Sequence, residues 1–349
     1  MGLVSHAKSQ HVSTETTTSP ESKDQIVPSY QIVNDLRICN GFIRKNVLEA
    51  MAYKPTADDL FIATYPKCGT TWTQQIVFLL LNDGRPPSGV GEYFSRNPFI
   101  DMLGDEGIQS MVRPAAIKTH FPFQKVPYSP SAKYICVVRN PKDALVSFFH
   151  HTRGIPGYQF ANGSFDTYFE LFLEGKVDYG DYFDHLISWW DHRNDHNVIF
   201  LTFEQMKADI RSAIYKIAQF IDKSLIEKLD KDPMFMESVV KYSSFSYMKE
   251  QDKLVRKPYE MPEQMLSNPS VPRVVKEALL NHLSHRQPES VTTTISNTST
   301  QDYAHIRKGI VNDWKNHLTE EQNERLVAKF IHKTTGTGID SLWETRDWL

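Results

Sequence analysis

The segment from residue 60 to residue 81 constrains the fold of this 349-residue chain more than any other. Four consecutive apolar residues, Leu60–Ala63, predict a short buried strand. Apolar residues then recur at the spacing of one helix face, which predicts a helix over Thr70–Leu81. A strand that passes through a short turn directly into a helix is the first part of a β-α-β unit, and such units build parallel sheets.

The same pattern returns along the chain. Three more apolar runs predict buried strands, at Ala115–Ile117, Tyr134–Val138 and Val198–Leu201. Helical periods follow two of them, at Asp143–His150 and Ile210–Ile221. Alternating strands and helices predict an α/β fold, a single domain with a central parallel sheet flanked by helices on both faces. Because ligands bind at the carboxyl ends of the strands in such sheets, we expect the functional residues directly after the apolar runs.

Two segments differ in composition from this alternating pattern. Residues 1–28 are rich in Ser and Thr and almost free of large apolar side chains, so we expect a disordered N-terminal tail ahead of one domain at 29–349. Residues 253–300 contain an amphipathic helix near Pro272–His285 and then a Ser/Thr-rich stretch at 289–300, which predicts a long loop. A loop of that length within a compact domain is either functional or disordered.

Charge and cysteine content narrow the class of protein. Lys plus Arg number 39 and Asp plus Glu number 42, and the net charge of -3 argues against a nucleic-acid-binding protein and favours a small ligand. The longest apolar run, Ile76–Leu81, is far shorter than the roughly 20 residues that span a membrane. Three scattered cysteines do not make a disulfide framework or a zinc site, and no apolar stretch of signal-peptide length opens the chain. We therefore expect a cytoplasmic protein without a membrane partner.

The turn after the first predicted strand has the features of a phosphate cradle. The string TYPKCGTTW occupies residues 64–72. Gly69 permits close approach of the backbone to a ligand, the amides that open the helix are unpaired donors, and Lys67 adds a positive charge. The lysine precedes the glycine, so this string is not a Walker A loop. The alternative is an ordinary glycine-containing turn with a surface lysine.

Three further segments contain side chains suited to chemistry. His120 ends the string IKTH, where it is either a general base or a hydrogen-bonded structural histidine. Arg139 opens the string RNPKDALVS, where it either binds a phosphate or pairs with Asp143. The string RKGIVNDWK begins at residue 307, and its basic pair and glycine form either a second anion site or a solvated surface pair.

Together the four strings resemble the cytosolic sulfotransferase family, in which they occur in the same order. The resemblance runs from Asn40 to Ala328, interrupted at 253–300. It implies a co-substrate, 3′-phosphoadenosine 5′-phosphosulfate (PAPS), a P-loop-like phosphosulfate-binding loop and no metal. The residues that it implies for PAPS binding are Lys67, Cys68, Gly69, Thr70, Thr71, Trp72, Arg139, Ser147, Phe203, Ser243, Phe245, Met248, Arg307, Lys308 and Gly309.

The resemblance also implies a mechanism. His120 would take the proton of an acceptor hydroxyl or amine as that group attacks sulfur, and the sulfuryl group would pass to the acceptor. Lys67 would stabilise the leaving oxygen, Lys118 would position the acceptor or donor oxygens, and Ser147 would contact Lys67 before the acceptor arrives. The residues that it implies for the acceptor site are Phe99, Met102, Lys118, Thr119, His120, Phe123 and Phe148. We expect a small, aromatic or hydrophobic acceptor, and the alternative for these aromatic side chains is core packing.

Three of the chain's departures from the family pattern affect its predicted structure. Asn312 replaces a glycine, and because Asn tolerates left-handed dihedral angles we expect the turn to survive. Glu320 replaces an apolar residue of the family's short dimer segment, which brings a charge into the contact of a homodimer. The stretch 253–300 is roughly 30 residues longer than the family norm, and we expect it to form a lid over the acceptor site.

Other functions compete with this interpretation. A PAPS- or nucleotide-binding protein without catalysis is the main alternative, although binding alone does not require His120. A nucleotide kinase is disfavoured by the missing Walker A order, and a Golgi carbohydrate sulfotransferase by the absent membrane anchor and the KTH tripeptide. His192 and His196 stand four residues apart as a candidate metal pair, but without a third ligand nearby this interpretation is weak.

Overall fold

The computed structural model describes residues 26–251, 262–285 and 306–343. The predicted loop at 289–300 lies outside the described residues, and so does the predicted tail up to residue 25. The account below concerns the described residues alone.

A two-stranded antiparallel hairpin opens the described chain, formed by β1 (Tyr30–Val33) and β2 (Leu36–Cys39). Asn34 and Asp35 make its two-residue turn, with φ of 49° and 64°. Asn and Asp enter this left-handed region more readily than most residues, and a turn with both φ positive matches the twist of the strands. The hairpin brings Cys39 to the wall of the cavity described below.

The central sheet is parallel, and four of its strands lie within the described residues. They are β3 (Leu60–Ala63), β4 (Ile117–Thr119), β5 (Lys133–Val138) and β6 (Val198–Thr202), in the order β4-β3-β5-β6. The chain passes from β3 to one side at β4 and then to the other side at β5. Ligands bind α/β sheets at the carboxyl end of such a switch point. The predicted single-domain α/β fold is confirmed.

One predicted strand is displaced by two residues. The apolar run Ala115–Ile117 predicted a strand, but β4 begins at Ile117 and includes Lys118 and Thr119. The reason is that pairing with β3, not hydrophobicity, sets the bounds of the strand: Ile117 lies opposite Phe61 in the ladder. The two alanines before it are buried without being part of the ladder.

Successive residues of the strands face two separate cores, one on each side of the sheet. In β3, Phe61 and Ala63 belong to one core, while Leu60 and Ile62 belong to the other. The first core is rich in aromatic side chains and includes the fully buried Trp189. The second is largely aliphatic. Burial on both sides explains why the strands read as continuous apolar runs.

Helices cover both faces of the sheet. They are α1 (Arg44–Ala52), α2 (Thr70–Leu80), α3 (Val90–Arg96), α4 (Ile100–Gln109), α5 (Pro141–Gly154), α6 (Phe165–Leu173), α7 (Tyr182–Trp190), α8 (Phe203–Ala208), α9 (Ile210–Ile221), α10 (Lys223–Lys231), α11 (Pro233–Tyr242), α12 (Pro262–Ser267), α13 (Arg273–Ser284) and α14 (Glu320–Thr334). Short 3-10 helices lie at Pro156–Tyr158, Asp313–Asn316 and Ile339–Leu342. No helix in the described part of the chain is long and apolar enough to cross a membrane.

The predicted helices form, and one is longer than predicted. The helix predicted at Asp143–His150 spans Pro141–Gly154. Its true start has a clear chemical basis, because the side chain of Asn140 accepts a hydrogen bond from the Lys142 N–H and Pro141 occupies the first turn.

Part of the 253–300 stretch is described and packs against α4. The amphipathic helix predicted near Pro272–His285 is confirmed as α13, with Pro272 at its N-cap. Apolar side chains of α12 and α13 form a small cluster with Leu103 of α4. Arg273 reinforces this contact, since its guanidinium lies 2.6 Å from the Glu106 carboxylate.

Glu320 is the first residue of α14 and is exposed. The preceding Thr319 caps this helix in a capping box with Gln322. An acidic side chain suits this position because the helix dipole is positive there. A homodimer formed through this segment stays a prediction.

Candidate active site

The loop after β3 has the backbone shape of an anion cradle. Lys67 has φ of 69° and Gly69, the N-cap of α2, has φ of 105°. A Cβ at Gly69 would lie 3.1 Å from the ring of Phe203, so glycine serves both conformation and space here. The first turn of a helix presents backbone amides that lack intrahelical acceptors, which suits an anion at the start of α2. The Thr64 and Thr70 hydroxyl groups are 2.5 Å apart and fix the loop to that turn.

Arg139 follows β5 and lies across the same loop. Its guanidinium donates hydrogen bonds to the carbonyl oxygens of Lys67, at 3.2 Å, and Ile310, at 2.9 Å, and it stacks 4.4 Å from the centre of the Phe203 ring. Its buried Nε has no hydrogen-bond partner among the described residues. The pairing with Asp143 that the sequence left open does not form.

Asp143 instead holds the segment that contains the second basic string. Its carboxylate accepts hydrogen bonds from the N–H groups of Asn312, at 2.7 Å, and Trp314, at 3.0 Å. Asn312 has φ of 64°, so the left-handed turn expected at this position does form. This attachment places the 307–309 string beside the loop that follows β3.

Asp313 orients the two cations of that string. Its buried carboxylate lies 2.5 Å from the Arg307 guanidinium and 2.7 Å from the Lys308 ammonium. Burial alone would raise the pKa of Asp313, but the hydrogen bonds from Lys308 and Arg307 hold it below its usual value. Arg307 Nε is buried without a partner among the described residues. Gly309 has φ of 61°, and a Cβ there would lie 2.4 Å from the Phe245 ring.

Aromatic side chains form a slot beside these cations. The indole N–H of Trp72 donates a hydrogen bond to the Ser243 carbonyl oxygen at 3.0 Å. The rings of Trp72 and Phe203 meet edge to face, with centres 5.4 Å apart. Phe245 is partly exposed and Met248 is buried next to it. A slot of this kind accommodates a flat, aromatic group.

His120 directly follows β4 and is held in one tautomer. Its backbone N–H donates a hydrogen bond to the Asp101 carboxylate at 2.8 Å, and its ring atom Nδ1 lies 2.8 Å from the carbonyl oxygen of Thr64. A carbonyl oxygen only accepts, so Nδ1 carries the proton and Nε2 carries the lone pair. Burial, with the charge of nearby Lys118 second, holds the pKa of His120 well below its usual value. The imidazole is therefore neutral at neutral pH.

Lys118 lies beside the same histidine. Its ammonium group is 4.0 Å from the centre of the Phe99 ring. Burial lowers the pKa of Lys118 to about 8, although Asp101 acts in the opposite direction. Burial also raises the pKa of Asp101 to about 6, against the hydrogen bond from the His120 N–H. Two groups whose charges change near neutral pH thus adjoin one histidine, a pattern that clusters at functional sites.

One cavity of about 460 Å³ is lined by the loop after β3, by Arg139, by the 307–309 string, by the aromatic slot and by His120. The predicted cofactor residues that line it are Lys67, Gly69, Thr70, Thr71, Trp72, Arg139, Ser147, Phe203, Ser243, Phe245, Met248, Arg307, Lys308 and Gly309. The predicted acceptor residues that line it are Phe99, Met102, Lys118 and His120. The cavity therefore joins a basic and aromatic part to a part that holds the neutral histidine.

Four predicted residues do not line the cavity. Cys68 and Thr119 are fully buried away from it. Phe148 is fully buried because successive residues of a helix point about 100° apart, so that Ser147 faces the cavity while its neighbour faces the aromatic core. Phe123 stacks on the His192 ring, with centres 3.3 Å apart. A ligand contact of these four residues stays a prediction, and for Cys68 it concerns the backbone amide.

Several lining residues were not predicted. They are contributed by separate segments of the chain and include Phe42, Tyr93, Phe94, Leu103, Tyr158, Asp178, Tyr179, Met265, Val275, Leu279 and His282. No local spacing connects them, because they meet only once the helices have packed. The one local signal among them is Asp178, an acidic residue between Val177 and Tyr179.

The histidine pair at 192 and 196 does not form a metal site. His192 Nδ1 lies 2.8 Å from the Asp195 carboxylate, and the described residues contain no group of three or more His, Cys, Asp or Glu that could hold a metal ion. His192 instead packs on Phe123, and His196 is exposed.

Comparisons with known proteins find related sequences over most of the chain. The family model described as "Sulfotransferase domain" matches residues 57–263 and 250–338. The chain is 32% identical to an amine sulfotransferase of Oryctolagus cuniculus over 83% of this chain and 85% of that protein. It is 31% identical to sulfotransferase 1C2 of Homo sapiens, over 86% and 90%.

Solved structures show the same architecture. The mouse sulfotransferase SULT7A1, complexed with PAP, superposes with a TM-score of 0.62 at 26% identity, covering 89% of this chain and 96% of that one. Retinol dehydratase, in complex with androsterone and PAP, superposes with a TM-score of 0.60 over 86% and 87%. Its identity is 19%, so this second likeness concerns the fold alone.

Proposed function

Because the chain belongs to the sulfotransferase family, we propose that His120 is the general base with which it transfers the sulfuryl group of PAPS to a small hydrophobic acceptor. The family assignment makes the chain a PAPS-dependent sulfotransferase with a small-molecule acceptor. The base, the donor-binding residues and the nature of the acceptor are the parts that we propose. One observation carries the proposal: a single cavity is lined by both the anion cradle and the neutral histidine.

The basic part of the cavity fits the donor. We assign the 5′-phosphosulfate to the loop Lys67–Trp72, where helix amides and a lysine converge, and the 3′-phosphate to Arg139, Ser147 and the 307–309 string. The fit rests on two buried guanidinium nitrogens, the Nε atoms of Arg139 and Arg307, which have no partner among the described residues. A phosphate oxygen is the acceptor that such donors lack. The adenine is assigned to the cavity wall that Trp72 and Phe203 form together.

His120 supplies the acid–base step. Its Nε2 takes the proton of the acceptor hydroxyl as that oxygen bonds to sulfur. The bond between sulfur and the bridging phosphate oxygen breaks with its electron pair on the phosphate, so the products are the sulfated acceptor and adenosine 3′,5′-bisphosphate (PAP). The hydrogen bond from Nδ1 to the Thr64 carbonyl oxygen keeps Nε2 unprotonated before the reaction and stabilises the imidazolium after it.

Two lysines stabilise the charge that moves in this step. We assign Lys67 to the bridging oxygen, where negative charge develops, and Lys118 to the reacting oxygens beside His120. Ser147 lines the same cavity from α5 and is assigned to hold Lys67 and the donor phosphate. The arrangement parallels phosphoryl transfer, in which catalysis is positioning and electrostatics.

The walls of the acceptor part are mostly apolar. Phe42, Phe94, Phe99 and Met102 line it from the first half of the chain. Aromatic and aliphatic walls exclude water and bind an apolar acceptor by its buried surface. A non-catalytic PAPS-binding protein has no need for such walls beside a neutral histidine, which favours the enzyme over this alternative.

The described part of the 253–300 stretch closes one side of this acceptor part. Met265 of α12 and Val275, Leu279 and His282 of α13 line the cavity. We propose that this segment is the lid over the acceptor and selects it by shape. Leu279 is buried, whereas the next residue, Leu280, is 50% exposed, so the two make a matched pair of variants.

The test is transfer of radiolabelled sulfate from PAPS to a panel of phenols, steroids, fatty alcohols and amines. Leu279→Ala should raise KM for the preferred acceptor several-fold and leave KM for PAPS unchanged, since it removes acceptor contact area only. Leu280→Ala should change neither. Transfer to no member of the panel would refute the proposed function, and equal effects of the two variants would refute the lid.

A further inference from the structure

A carboxyl group is buried in the wall of the acceptor part of the cavity. Asp178 lies in the connection between α6 and α7, is 1% exposed, and lines the cavity together with Cys39 and Tyr158. One carboxylate oxygen accepts a hydrogen bond from the Cys39 N–H at 3.1 Å, and the other accepts one from the Tyr158 hydroxyl group. The mechanism above does not use this group.

Asp178 has no counter-ion among the residues that the structure describes. Within the described residues, no lysine, arginine or histidine forms an ion pair with it. Burying an unpaired carboxylate is costly, and burial raises the pKa of Asp178 to about 7. A carboxylate accepts up to about four hydrogen bonds, so the two contacts named above leave acceptor capacity toward the cavity.

A structural role explains the hydrogen bonds but not the charge. An asparagine oxygen would accept from the Cys39 N–H and the Tyr158 hydroxyl without the cost of burying a charge. The rings of Phe42, Tyr158 and Tyr179 line the same cavity, and aromatic faces attract cations. A carboxylate and three rings together form the usual surroundings of a bound ammonium group.

We propose that Asp178 binds an ammonium group of the acceptor, so that the preferred substrates are hydrophobic molecules with a reactive hydroxyl group and a separate amine. The inference rests on the proposed function and adds a substrate class to it. An ammonium nitrogen has no lone pair, so it is not the atom that attacks sulfur. The reacting hydroxyl group of the acceptor lies at His120. The positive charges of Lys67 and Lys118 disfavour an ammonium group at that end of the cavity.

The test uses pairs of acceptors that differ only in charge. Each pair consists of a (4-hydroxyphenyl)alkylamine and the alkylphenol in which a methyl group replaces the ammonium group. The linker between the ring and that group has one to four methylenes. The wild-type protein should prefer the amine of at least one pair by about tenfold or more in kcat/KM. Asp178→Asn should remove this preference and leave kcat/KM for the alkylphenol within about threefold of the wild-type value.

Two controls separate the inference from other effects. Tyr158→Phe keeps the carboxylate while removing one of its hydrogen bonds, so it should retain the preference for the amine. Calorimetric binding of each pair to the wild-type protein with PAP bound tests recognition without turnover. The proposed function fails if PAPS sulfates neither member of any pair, even where the amine binds.

Three results would overturn the role of Asp178 itself. They are the absence of any preference for the amines in the wild-type protein, a preference that survives Asp178→Asn, and an equal loss of both acceptors in that variant. The last result would mean that Asp178 stabilises the fold of the pocket and does not bind the acceptor.

Discussion

Raising the pH through 8 should remove the charge of Lys118 and with it the activity. Burial lowers the pKa of this lysine to about 8, so about nine-tenths of the side chains are charged at pH 7 and about one-tenth at pH 9. If the cation stabilises the reacting oxygens, kcat/KM falls about tenfold for each pH unit above 8. Between pH 7 and pH 6 the rate should change by no more than about twofold, because His120 stays neutral and Asp101, whose pKa burial raises to about 6, is still about half charged at pH 6.

The assay is kcat/KM from pH 6 to pH 10 with an uncharged aliphatic alcohol, which does not ionise in this range. Lys118→Arg should abolish the fall above pH 8, because arginine keeps its charge, even if the rate at pH 7 is lower. Lys142 is the matched control: burial lowers its pKa to about 8 too, but it packs 4.0 Å from the Trp314 ring and does not line the cavity.

Lys142→Arg should therefore keep the alkaline fall that Lys118→Arg removes. The reasoning is refuted if the fall persists in Lys118→Arg. It is equally refuted if the wild-type protein loses activity with a midpoint near pH 6.5, where an ordinary histidine titrates.

Two further substitutions test local geometry. Gly309→Ala should weaken PAP binding about tenfold or more, since the added Cβ meets the Phe245 ring. The control is Gly336→Ala, at φ of 81° in open space, which should lower the free energy of unfolding by only about 1 kcal/mol and leave PAP binding intact. Calorimetry measures PAP binding, and equal effects of the two variants on it would contradict the close approach at Gly309. Thr319→Ala should lower the free energy of unfolding by about 1 kcal/mol through loss of the capping box of α14, as measured by urea denaturation, and an unchanged midpoint would contradict that role.

The donor side of the site was predictable because its determinants are local. A strand, a glycine and a helix follow one another in the segment 60–81, so residue chemistry alone predicts the cradle. Asn312, with φ of 64°, occupies the left-handed turn that this residue type suggested, and Gly69, with φ of 105°, is in a conformation that favours glycine. The string RKG at 307–309 does not by itself distinguish an anion site from a solvated surface pair. The contacts of Asp143 and Asp313, which attach and orient this string, are visible only in the structure.

The acceptor side was not predictable in the same way. Phe42, Phe94 and Asp178 come from segments far apart in the sequence, and no periodicity connects them. Phe148 and Phe123 stand next to the motifs in the sequence and were therefore predicted to line the acceptor site. Their rings pack in the core and on His192, not in the cavity. Which face of a helix or loop meets the cavity depends on tertiary packing, which local patterns do not encode.

The central claim is that His120 is the base of a sulfuryl transfer, and single-turnover transfer from radiolabelled PAPS in His120→Ala tests it most directly. Removing a general base costs about 10²- to 10⁴-fold in rate, and PAP binding should stay within about threefold because the donor residues are untouched. His192→Gln, a change at a histidine outside the cavity, should leave both quantities unchanged. Transfer by His120→Ala within about tenfold of the wild-type rate, or an equal loss of PAP binding, would contradict the account.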